Sequence, residues 1–282
     1  MGTVRVVRLL PPIAILLPAM LVPRASFALD TTAPQEKASE TAPDVGYSLR
    51  IGAEAGARWF SYSDPLSIAT NLRPYDVVGV PLVTLGGSLR PFAWTRQTVL
   101  DRLEIRFDYA FAPTIESATN DGQTVTTTWD HGDALLFVPV RLGKQLRAPV
   151  LGARIGYGWL GFSFGTTSSL AREIPTVTYR FLRMGLNAEM ALTQRLFVTA
   201  GFDYLATLSG GAVYDRFRDA SVNGIDAQLG AGVNIAANTR LLMLFDYTRF
   251  FSSFVPVPGD AYVAGGALDQ FGIFKIGIEY GR

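Results

Sequence analysis

The feature that most constrains this chain is a run of about ten segments, from Tyr47 to Tyr280, in which apolar and polar residues alternate one for one. Over 97–112, Val99, Leu103, Ile105, Phe107, Tyr109 and Phe111 share one face, and Arg102, Glu104, Arg106 and Asp108 share the other. A helix would scatter these residues around its circumference, so the period points to a strand. The same period runs through 47–62, and further strands are predicted at 77–90, 133–142, 150–164, 177–192, 196–208, 225–235, 240–251 and 269–280. Pro81 and Pro139 are defects in this pattern, because each removes a ladder hydrogen bond.

The connections alternate in length. Segments 91–96, 143–149, 193–195 and 236–239 are short, while 63–76, 113–132, 165–176, 209–224 and 252–268 are long. An even strand number with both ends on the short-turn side is the layout of a closed antiparallel membrane β-barrel with periplasmic turns and external loops. Alternation alone does not say which face points outward. Glycine is frequent on the polar face (Gly52, Gly56, Gly152, Gly156, Gly158), which suits the concave side of a barrel. The apolar face is bulky and ends in aromatics such as Trp59, Tyr109, Trp159, Tyr247 and Tyr280, as an interfacial girdle would. Only 17% of residues are charged, against about a quarter in a typical soluble domain. These three features place the apolar face toward lipid.

The first residues set the compartment. Arg5 and Arg8 precede an apolar stretch, Leu9 to Val22, and Ser26-Phe27-Ala28 offers small residues at a signal-peptidase site, so 1–28 reads as a cleaved export signal. A membrane anchor is disfavoured by Pro11, Pro12 and Pro18 and by an apolar run short of about 20 residues. Cysteine is absent, which excludes a lipidated cysteine and a disulfide framework. Removing the signal takes three arginines and no acid, so 25 basic and 24 acidic residues become 22 and 24. That near-neutral balance offers no footprint for nucleic acid. Residues 29–45 are polar, Pro-containing and aperiodic and read as a disordered periplasmic linker, leaving 46–282 for one barrel.

The last strand carries a resemblance. Phe274, Ile276, Ile278 and Tyr280 alternate with Lys275, Gly277 and Glu279, and this resembles the C-terminal strand of the bacterial outer-membrane β-barrel class, although Gly281 and Arg282 follow the aromatic. The resemblance covers 46–282 as a pattern and implies outer-membrane localisation, contact with lipid and lipopolysaccharide, and recognition by the barrel-assembly machinery. It singles out no one family.

Function must then come from the inside and the rim. The predicted inward face carries Arg50, Arg58, Arg102, Arg106, Arg141, Arg154, Arg183 and Lys275 against Glu54, Glu104, Asp108, Glu189, Asp203, Asp226, Asp246 and Glu279. A balanced set in a narrow barrel suggests ion pairs that fill the lumen. Barrels of about eight strands are filled by side chains, whereas open channels belong to about sixteen, so ten strands lie near the filled limit. A narrow path for ions or small solutes through the same residues is the second expectation.

An enzyme would have to use the single histidine, His131, which lies with Asp130 and Asp133 at the end of a predicted loop and defines a candidate rim site. Outer-membrane proteases of the omptin type also have ten strands and use acidic residues with an Asp–His pair, but here the pair is contiguous and no second acidic pair faces it. Two aspartates and a histidine could also ligate a divalent ion. No nucleotide loop, internal repeat or metal-spaced cluster appears, and neither catalysis nor a cofactor is expected. The predicted loops hold Arg73, Arg172, Arg216 and Arg218 against twice as many acids, and such a rim would hold cations, or lipopolysaccharide phosphates bridged by them. Loop 252–268 is apolar, with Phe254-Val255-Pro256-Val257-Pro258, and either folds over the barrel mouth or meets a protein partner, for which the 29–45 linker is the other candidate segment. The expected role is a structural, anchoring or adhesive subunit of the cell envelope.

Overall fold

The computed structural model describes residues 46–281 apart from 64–71, 73, 94–99, 114, 119–123, 144, 146, 166–173 and 175. The segments assigned above to a signal, 1–28, and a linker, 29–45, lie outside the described residues. The strands are β1 (Tyr47–Ser63), β2 (Tyr75–Leu89), β3 (Glu104–Phe111), β4 (Ile115–Ala118), β5 (Thr124–Arg141), β6 (Val150–Phe164), β7 (Val177–Ala191), β8 (Leu196–Gly211), β9 (Ser221–Ala236), β10 (Thr239–Ser253) and β11 (Gly266–Tyr280). Each pairs antiparallel with its neighbours, β1 pairs with β11, and β3 pairs with β5 across the short β4, so ten strands close into a barrel. β4 is an extra strand that pairs only with the top of β5. Both ends of the barrel chain meet at one rim, where Leu49 lies opposite Tyr280. We call this the turn end and the opposite rim the loop end.

The alternation decides which way each side chain points. On β1, Leu49 and Ile51 are exposed while Ser48, Glu54 and Arg58 are buried, and on β11 Phe274, Ile276 and Ile278 are exposed while Glu279 and Asp269 are buried. Ile51 and Leu229 are each 65% exposed. A soluble barrel would bury that face, whereas a lipid-facing belt must leave it outside. The fold is that of a transmembrane β-barrel. Among the described residues no helix is long and apolar enough to cross a membrane.

Three departures from the sequence expectation have physical causes. The strand expected over 97–112 begins only at Glu104, because Leu100–Arg102 forms a 3-10 turn, and that takes Arg102 out of the lumen to an exposed position. The expected loop 113–132 is largely a hairpin, in which β4 pairs with β5 and β5 starts at Thr124. Its Thr-rich run, read as polar loop, is also a run of good strand formers. Pro81 and Pro139 lie inside β2 and β5, but both sit beyond the reach of the eight-residue β3, whose ladders stop at Val83 on β2 and Phe137 on β5. Each therefore pairs on one side only, where a missing donor is tolerated.

Interior glycines seat large rings. A Cβ on Gly56 of β1 would stand 2.5 Å from the Trp129 ring of β5, so the indole crosses the lumen onto bare backbone. Gly56→Leu is accordingly expected to overpack the interior and cost about 1–3 kcal/mol. The check is the temperature at which the folded band disappears in heat-modifiable gel mobility, which should fall relative to the parent.

Candidate functional site

The lumen is built in two layers of different chemistry, stacked along the barrel axis. Nearer the turn end lies a charged layer. Arg183 of β7 reaches Asp133 at 2.8 Å, Asp226 at 3.4 Å and Asp203 at 3.5 Å. Asp203 and Asp226 face each other in register across β8 and β9, an arrangement that would be repulsive without a cation between them. Arg154 bonds Asp203 at 2.7 Å, and Thr248 donates to Asp226 at 2.5 Å. Lys275 bridges Asp246 at 2.8 Å and Glu54 at 3.6 Å. Arg50 pairs with Asp108 and lies 3.8 Å from Glu279, while Arg240 joins Glu279 at 2.8 Å and Glu189 at 3.6 Å. Arg106 holds Glu104 at 2.7 Å and lies 3.6 Å from the centre of the Phe137 ring. These groups enclose a cavity of about 140 Å³, bordered by His131, Asp133, Arg183, Asp246 and Lys275. A polar cavity of that size holds several waters, which would serve a buried polar atom such as Arg154 Nη2 that makes no hydrogen bond within the protein.

Nearer the loop end the lumen is apolar. Tyr75, Phe162, Trp129, Phe271, Phe250 and Tyr179 form an unbroken chain of ring contacts, with centroids 3.9 to 6.3 Å apart. All are buried in one cluster, to which every strand of the barrel contributes; those without a ring there supply Ala110, Leu205 and Val222. Inside it sits one ion pair. The Arg58 guanidinium donates through Nε and Nη2 to the two Asp269 oxygens, both at 2.8 Å, and Tyr179 donates to Asp269 at 3.0 Å. Arg58 is 0% exposed and its guanidinium carbon lies 4.4 Å from the Phe162 centroid, with Phe60, Phe271 and Tyr75 between 5.4 and 5.9 Å. The bidentate geometry and the ring faces together offset the desolvation of the guanidinium.

Several sequence expectations change here. Arg102 and Arg141 are exposed, the first in its 3-10 turn and the second at the turn end of β5. Arg240, Asp133 and Asp269 join the inward set, so among the described residues seven cations face ten carboxylates in place of eight against eight. The rim site is not a rim site. His131 lies in β5 and points into the lumen, where its Nε2 is 2.8 Å from Glu54 Oε2. Asp130, one residue earlier, points outward and accepts from the indole of Trp159 at 3.1 Å. Strand parity therefore separates Asp130 from His131, and Asp133 is taken by Arg183. No group of acids and histidine able to hold a metal occurs among the described residues. The apolar ring layer is not part of the sequence expectation, in which aromatics at strand ends form the girdle. Its signal is the loss of alternation at Trp59-Phe60 and Phe250-Phe251, where both faces are aromatic.

No protein-family model matches the chain, and no curated protein matches it in sequence. Among solved structures it is similar to Neisserial surface protein A, at 11% identity with 84% of this chain and 97% of that one covered and a TM-score of 0.33. It is similar to the outer membrane protein OprG from Pseudomonas aeruginosa, at 10% identity, with 84% and 96% covered and a TM-score of 0.34. It is also similar to the translocator domain of autotransporter NalP from Neisseria meningitidis, at 12% identity, with 83% and 88% covered and a TM-score of 0.40.

Removing one partner of the Arg58–Asp269 pair leaves a buried charge uncompensated, so Asp269→Leu is expected to destabilise the barrel by about 3–5 kcal/mol. Arg58→Met added to Asp269→Leu should recover most of that loss, since an apolar pair suits the ring layer. Unfolding titrations in urea from lipid vesicles would measure both. His131→Ala should leave folding nearly intact, because Glu54 keeps Lys275.

Proposed function

We propose that this protein is an exported bacterial outer-membrane barrel, closed along its axis, that acts as a structural or anchoring unit of the envelope and works through its loop-end surface. The observation that carries this reading is the ring layer from Tyr75 to Tyr179, which runs from wall to wall and holds a fully buried ion pair. An ion crossing it would have to leave water for hydrocarbon, or break the Arg58–Asp269 pair, at a large cost. Above that layer the loops add a lid. Phe217, just after the short helix α1 (Ala212–Arg216), stacks on Phe254 with centroids 3.9 Å apart, and Tyr262 packs against the same ring. Loop 252–268 thus turns Phe254 inward, while Val255 to Pro258 stay exposed as an apolar strip. That strip is the surface we assign to a protein partner in the envelope. Assembly by the barrel machinery and contact with lipopolysaccharide belong to the same proposal.

A narrow path for ions or small solutes is the second reading, favoured by the polar cavity, whose lining carries six cations and five carboxylates. Single-channel recording separates the two. The refolded protein is expected to be silent in a planar bilayer, and Trp129→Ala with Phe162→Ala should open the ring layer onto the charged cavity and give an ionic current. Steady conductance from the unsubstituted protein, altered by changes at Glu54 or Arg183, would replace the anchor reading with the channel.

A further inference from the structure

The barrel wall is not paired over its whole height. The β2–β3 ladder runs from Leu89 opposite Ile105 to Val83 opposite Phe111 and stops there. Carried two residues further, the same register sets Pro81 opposite Pro113, and neither has an N–H to donate. Two residues beyond Pro81, Gly79 takes a positive φ of 82° and forms a bulge that shifts β2 against β1 between Gly56 and Ala57. β4, which continues in the direction of β3, pairs with β5 and not with β2. Among the described residues, Asp76 to Leu82 therefore have a ladder partner on the β1 side alone.

This open edge lies within the lipid-facing belt. Val78 and Pro81 stand opposite Ala57 and Ala55, on the turn-end side of Trp59, and both are exposed. Hydrocarbon offers a backbone no partner of its own, so an unpaired stretch at that depth is costly. Behind the edge the lumen is apolar: Val80, Leu82 and Ile115 are buried, and the Trp129 ring lies across the opening from β5 to Gly56 of β1, with a Leu82 methyl over the same glycine. Trp129 is 1% exposed, yet its indole Nε1 has no acceptor in the protein. A buried donor left unpaired is costly, and it waits for an oxygen that the chain itself does not provide.

We propose that the seam between Asp76–Leu82 of β2 and the β3–β4 segment is a lateral binding site for a membrane lipid, whose acyl chain enters between the strands against Leu82 and Trp129. The occupant follows from position, since what lies against an open edge within the apolar belt is the acyl chain of the surrounding bilayer. The carbonyl oxygen of an acyl ester supplies the acceptor that Trp129 Nε1 lacks. The site is independent of axial closure: the same ring layer that blocks ions along the axis lines this side opening.

Fluorescence quenching by lipids brominated on the acyl chain tests it. Trp59 and Trp159 point outward, so a single-tryptophan protein retaining only Trp129 reports the seam, and one retaining only Trp59 reports the belt. Trp129 is expected to lose emission in brominated vesicles as Trp59 does, despite its burial. Quenching of Trp59 with Trp129 unaffected overturns the proposal. Because the tryptophan replacements could impair folding, the unsubstituted protein in vesicles of a lipid with a photoactivatable acyl chain gives a second readout. Cross-links on inward Val80, Leu82 or Trp129 support the site, and cross-links confined to outward residues such as Val78, Ile51 and Phe274 overturn it.

Discussion

A closed ladder of ten strands encloses a space that its own inward side chains must fill, and every feature of this barrel follows from how that filling is done. The interior is far from water at its centre, so each charge there needs a partner and each ring needs a seat. The chain meets the first need by pairing Arg and Lys from one strand with Asp and Glu from another. It meets the second with glycines such as Gly56, which let a ring reach across to the opposite wall. The two solutions are segregated along the axis, and this segregation sets what the protein can do.

The Arg58–Asp269 pair shows why the segregation is sharp. In the charged layer, Arg183 shares three carboxylates beside a cavity that holds several waters, so its neighbours can be exchanged or hydrated at modest cost. In the ring layer, Arg58 has one carboxylate, one supporting tyrosine and four ring faces around it. A pair of this kind contributes little net stability over an apolar replacement, but it penalises any arrangement that separates its partners. Arg58 on β1 and Asp269 on β11 thereby tie the first and last strands together at the loop end, across the closure of the barrel.

Much of this was legible in the sequence. Period-two alternation gave strand positions and facing directions for β1 and for β6 to β11, and parity alone pointed Glu54, Arg154 and Asp246 inward. What escaped was of two kinds. Where backbone geometry departs from a regular strand, as in the 3-10 turn at Leu100–Arg102 or the hairpin at Ile115–Thr124, the residues keep a strand-like or loop-like composition that misleads. Where both faces of a strand are apolar, as at Trp59-Phe60, parity cannot tell a girdle ring from a core ring. His131 illustrates the cost: three neighbouring residues looked like a cluster, and the pleat sent Asp130 to the outer face and His131 to Glu54.

The central claim is that the lumen is dry at Arg58 and wet at Arg183, and hydrogen exchange of the arginine side chains measures this directly. In the refolded protein with labelled guanidinium nitrogens, the Nε–H of Arg58 should exchange with solvent far more slowly than that of Arg183. Equal exchange at the two sites would mean that water passes the ring layer, and the barrel would then have to be understood as an open path.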